Sequence, residues 1–86
     1  MEITDVKIRT IEGNEKLKAY ATVIFDDALV IHNIKIISSD EGLFIAMPSR
    51  KMTNGEFKDV VHPISKDFRD LLTKNIIEQY NTEVVK

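Results

Sequence analysis

From Leu17 to Phe25 the chain alternates without a break: Leu17, Ala19, Ala21, Val23 and Phe25 fall on one side of an extended backbone, and Lys18, Tyr20, Thr22 and Ile24 on the other. A period of two is the strand period, so this segment must be a strand that finds a sheet and a cover for its apolar face. Val6 and Ile8 against Asp5, Lys7 and Arg9 repeat the pattern and predict a first strand over residues 2–9. Between the two, Ile11 to Lys16 contains Gly13-Asn14, residues that tolerate positive φ, and reads as a hairpin turn. After Asp26-Asp27 breaks the pattern, Leu29 to Ile37 is apolar on both faces and rich in β-branched residues. Such a strand wants cover on both sides.

Ser38 to Gly42 is turn chemistry, and Leu43 to Met47 is a short strand that must end at Pro48, which has no N–H to donate. Residues 48–56 read as an extended basic hairpin arm in which Asn54-Gly55 can form a type I′ turn. Phe57 to His62 returns as a fifth strand, closed by Pro63. Ser65 is placed to cap a helix and Asp67 falls in its first turn. Phe68, Leu71, Leu72, Asn75, Ile76, Gln79 and Tyr80 then recur at helical spacing, predicting an amphipathic helix over residues 66–81 and a fraying tail over 82–86. The expected fold is α+β: one domain over residues 1–86, with a small antiparallel sheet of about five strands in 1–64 and one C-terminal helix in 65–81.

One helix covers one face of a sheet. A domain of this size buries about 60–65% of its chain surface, and with no cysteine its stability comes from packing alone. A homodimer through Tyr20, Ile24, Ile31 and Ile37 would cover what the helix leaves open. The monomeric alternative leaves Tyr20, Ile24 and Ile31 as an exposed apolar strip.

With 43% apolar and 30% charged residues the composition is that of a globular protein. The longest apolar run, Leu43 to Met47, is far short of the roughly 20 residues a spanning helix needs. The acidic start, Met1 to Asp5, has no basic region followed by an apolar stretch, so the expected address is cytoplasmic, with no membrane partner. The net charge of −2 is the wrong sign for a protein coated in nucleic acid, but it is unevenly spread. Residues 47–69 hold five basic groups (Arg50, Lys51, Lys58, Lys66, Arg69) against three acidic ones (Glu56, Asp59, Asp67), net +2, while residues 1–46 are net −3.

Nothing in the chain argues for catalysis. His32 and His62 are the only histidines and do not sit at a close ligand spacing, so neither a metal site nor a cofactor is expected. Asp26-Asp27 and Asp40-Glu41 fall where turns are expected, the serines have no adjacent base, and the three glycines are too dispersed to cradle a phosphate. The basic arm differs. Arg50 and Lys51 sit on an excursion from the sheet, and Lys66 and Arg69 at the helix start, where backbone N–H groups also favour an anion. These four are the candidate nucleic-acid-binding residues, set against the plainer reading of a solvated charged hairpin.

Leu43-Phe44-Ile45-Ala46-Met47-Pro48-Ser49-Arg50-Lys51 and Gly55-Glu56-Phe57-Lys58-Asp59-Val60-Val61-His62-Pro63-Ile64 resemble the signature of the stage V sporulation protein G family of bacterial septation regulators, and Glu2 to Arg9 and the third strand resemble it too. The resemblance covers about residues 1–80. It implies a cytoplasmic, homodimeric α+β regulator that binds DNA and also RNA, with roles in sporulation and in restraining asymmetric septation. The family's basic pair after Met-Pro-Ser and its arginine early in the final helix, associated with nucleic-acid contact, correspond to Arg50, Lys51 and Arg69. Lys66 rests on the local charge argument alone. The family often has His-Asp where this chain has His32-Asn33. The alternative function is a protein-interaction regulator of cell division, with a division or regulatory protein as partner and no physiological nucleic-acid binding.

Overall fold

The computed structural model describes residues 1–85. Its strands are β1 (Ile3–Thr10), β2 (Leu17–Phe25), β3 (Leu29–Ser39), β4 (Gly42–Ala46), β5 (Ser49–Lys51) and β6 (Phe57–Asp59), followed by one helix, α1 (Lys66–Val85). The architecture is α+β, as the alternation and the helical spacing require. The strands, however, form two sheets instead of one. β1 to β4 make an antiparallel meander in the order β1-β2-β3-β4, and β5 pairs only with β6. β4 stops pairing at Ala46, just before Pro48 removes a donor, and the segment expected to return as a fifth strand closes a separate two-stranded hairpin through the Val60 N–H to Pro48 carbonyl bond of 2.8 Å.

The meander's turns follow from their residues. Asp26 and Asp27 both take positive φ, 52° and 51°, and the Ala28 N–H donates to the Phe25 carbonyl at 2.9 Å, the two-residue turn whose twist suits a hairpin. The same aspartates anchor the edge strand: Asp26 Oδ1 accepts from the Glu2 N–H at 3.0 Å, and the Asp27 N–H donates to Thr4 Oγ1 at 3.1 Å. The acidic pair is turn structure.

α1 lies over one face of the meander, touching β1, β2 and β4. Ala19, Ala21, Val23 and Phe25 of β2 and Ile34 and Ile36 of β3 form the core with Leu72 and Ile76 of α1, all at or below 1% exposure. Phe68 closes one end against Phe25, ring centroids 5.8 Å apart. Leu71, placed on the apolar stripe by spacing, is instead exposed, and Ile77 packs against the core in its stead.

Ser65 caps α1: the Phe68 N–H donates to Ser65 Oγ at 3.1 Å. Ser65→Ala should cost about 1 kcal/mol, read as a lower urea midpoint with an unchanged slope. The helix extends beyond residue 81, to Val85. Thr82 Oγ1 donates to the Glu78 carbonyl at 3.0 Å and Gln79 Nε2 to Glu83 Oε1 at 3.2 Å, tying the last turns together as far as Val85. Lys86 lies outside the described residues.

A bulge in β3 reverses one expectation. Asn33 takes φ 63°, and the pairing slips between Ala21↔Ile34 and Val23↔Ile31, so Thr22 alone faces both His32 and Asn33. An extra residue flips the faces beyond it. Ile31, expected on the uncovered face with Tyr20 and Ile24, therefore packs on the helix side against the core. The uncovered face carries Tyr20, Ile24, Val30, Ile37 and Phe44, as the pairings Ile24↔Val30, Tyr20↔Lys35 and Ile37↔Phe44 place them. Among the described residues no helix is long and apolar enough to cross a membrane.

Candidate nucleic-acid interface

The second sheet is the basic arm. Residues 49–60 are all exposed, so the hairpin stands off the domain on its own backbone bonds. Its turn is not type I′: Asn54 keeps a negative φ, and only Gly55 is left-handed, at φ 90°. The Gly55 N–H donates to the Met52 carbonyl at 3.0 Å, the Met52 N–H to the Glu56 carbonyl at 2.6 Å, and the Glu56 N–H to Asn54 Oδ1 at 3.0 Å. A side chain at 55 would strain this backbone although nothing crowds it.

The register sorts the arm's charges. Ser49 pairs with Asp59, Arg50 with Lys58 and Lys51 with Phe57. Directly opposed residues share a face and neighbours along a strand do not, so Arg50 and Lys58 form a cationic pair on one face while Lys51 and Phe57 share the other. Like charges set opposite each other across a ladder repel. No described carboxylate lies within ion-pair distance of Arg50, Lys51, Lys58 or Arg69; the pair formed among the described residues is Lys66 Nζ to Asp70 Oδ2, 3.0 Å, on the helix surface. An anion laid over this face would meet both Arg50 and Lys58.

At the helix start Lys66 and Arg69 line a shallow depression with Pro63, Ile64 and Ser65. Arg69 also faces the root of the arm, lining a groove of about 380 Å³ with Asp59, Pro63, Thr73 and the β4 residues Phe44 to Ala46. The four expected contact residues thus fall into two groups: Arg50 and Lys51 on opposite faces of the arm, and Lys66 and Arg69 together at the helix N-terminus. Two further residues share the arm's surface. Charge counting places Lys58 in the basic block and alternation places Phe57 in a strand; only the pairing sets them opposite Arg50 and Lys51.

His62 lies beside an apolar pocket of about 250 Å³ formed by Phe25, Leu29, Ile31, Phe68 and Leu72, and its Nδ1–H donates to the Pro63 carbonyl at 3.2 Å. His32 Nδ1 lies 3.4 Å from Thr22 Oγ1 on the uncovered face. On that face the Arg9 guanidinium sits 5.3 Å from the Tyr20 ring centroid.

These elements define a class: a small α+β protein with one sheet face covered by its helix, the other open, and a cationic hairpin held clear of both. Residues 1–82 match the family profile described as SpoVG. Three relatives are named "Putative septation protein SpoVG". One from Treponema denticola is 49% identical over 80 residues, 93% of this chain and 86% of that protein. One from Caldicellulosiruptor saccharolyticus is 50% identical over 84 residues, 98% of this chain and 96% of that protein. One from Clostridium novyi is 52% identical over 86 residues, 100% of this chain and 84% of that protein. The chain belongs to the SpoVG family.

Proposed function

We propose that this protein is a cytoplasmic, non-enzymatic regulator that binds DNA, and RNA, as a homodimer, and that it acts in sporulation and in restraining asymmetric septation. The observation that carries the nucleic-acid reading is the exposed arm on which Arg50 and Lys58 face each other with no described carboxylate in ion-pair distance. Phosphate oxygens are the anions such a pair accepts, and Lys51, Lys66 and Arg69 extend the positive surface. The relatives' names support the link to septation. The homodimer reading rests on the uncovered sheet face, where Tyr20, Ile24 and Ile37 are only half-buried and Val30 and Phe44 are exposed. Two copies joined there would present two arms to one strand, so that each arm raises the effective concentration of the other.

The test is a titration of labelled DNA and RNA against salt. If each patch neutralises about two to four phosphates, log affinity falls linearly with log salt, and Arg50→Ala with Lys51→Ala flattens that slope by about two. Equal slopes for wild type and the double variant would remove the arm from the interface. The second reading, a protein-interaction regulator of division, is favoured by the same open apolar face. A cellular partner whose binding survives the double substitution, in a protein that binds no oligonucleotide at physiological salt, would establish it.

A further inference from the structure

Phe57 is 69% exposed at the far end of the arm, directly opposite Lys51 in the β5–β6 register. A phenylalanine with this much of its ring in water has no part in the core, and the hairpin is held by its own backbone bonds and by Asn54. We infer that Phe57 is a stacking platform for an unpaired base, and that the nucleic acid this arm prefers is single-stranded.

The inference rests on the nucleic-acid reading above and narrows it. A base offers its π-face only where it is not already stacked between neighbours in a duplex, whereas a phosphate is offered by either form. An arm carrying cations alone would therefore not distinguish single strands from duplexes. Adding an aromatic ring beside a cation makes that distinction: the base covers the ring, and the phosphate attached to it meets Lys51 on the same face. Asp59 lies on that face toward the root of the arm, opposite Ser49, and repels a backbone running that way. The strand is thus directed across the tip, toward Arg50 and Lys58 on the reverse face. Phenylalanine has no hydrogen-bonding group, so the contact discriminates strandedness more than sequence.

The experiment uses the full chain with a labelled mixed-sequence DNA single strand, the RNA of the same sequence, and the DNA duplex. Phe57→Ala should weaken binding of single strands about tenfold or more, leave the duplex affinity and the salt slope unchanged, and keep the circular dichroism of the wild type. Phe57→Tyr should restore the single-strand affinity. The protein has no tryptophan, so Phe57→Trp introduces a lone indole whose emission should be quenched by the single strands and not by the duplex. The DNA and RNA arms identify which single strand binds tighter. Phe57→Ala binding single strands like wild type, or losing both forms equally, would overturn the stacking role while leaving nucleic-acid binding in place. So would indole emission that shifts with protein concentration alone, which would put Phe57 against a second copy. A wild type that binds none of the three probes would instead defeat the nucleic-acid reading itself.

Discussion

Ile24→Glu is expected to give a folded monomer, and Ile31→Glu a protein that is destabilised before its oligomeric state is in question. Ile24 lies on the uncovered face between Asp5 of β1 and Val30 of β3. In a single copy a glutamate there points to water, so the fold survives. Pressed against a second copy, it is a charge without a partner beside the carboxylate of Asp5, which costs several kcal/mol and weakens association about a hundredfold or more. Ile31 sits on the other side, half-buried against the core and lining the pocket with Phe25 and Leu72, where a carboxylate is partly desolvated in every copy. Sedimentation at tens of micromolar with parallel thermal melts separates the two outcomes. A dimeric Ile24→Glu protein, or a wild type that is monomeric, would rule out this face as the interface, and the two-arm mechanism with it. Weakened oligonucleotide binding by the Ile24→Glu monomer is expected from the lost linkage between arms.

Ile76→Ala is expected to cost about 2–5 kcal/mol, a large fraction of the roughly 5–15 kcal/mol that holds a domain of this kind together. Ile76 is fully buried in the core cluster that also holds Ala19 and Ala21, side chains too short to reach into the space it would vacate. The cavity therefore stays open. Leu71→Ala, one turn earlier on the exposed side, should cost well under half as much. Urea unfolding followed by far-ultraviolet circular dichroism measures both, and equal losses would mean that the helix packs by a different face.

The sequence alone carried the strand period of Leu17–Phe25, whose bounds the structure reproduces, the turn at Asp26-Asp27, the cap at Ser65 and the existence of the basic arm. Each is a local matter: alternation, short polar side chains and a proline act on the backbone within a few residues of themselves. What local chemistry leaves open is which strand pairs with which, and with which residue opposite. Whether Phe57 to His62 joins the main sheet or turns back on Ser49–Lys51 depends on where the chain goes after Pro48. Ile31 reads as part of the uncovered strip with Tyr20 and Ile24 until Asn33 bulges against Thr22 and moves it to the helix side. Arg50 and Lys51 look like one basic pair in sequence, yet pleating sends them to opposite faces and gives them Lys58 and Phe57 as partners. The sequence determined the elements and the charge they carry. Only tertiary pairing, which brings residues distant along the chain side by side, decided which faces those charges and apolar groups share.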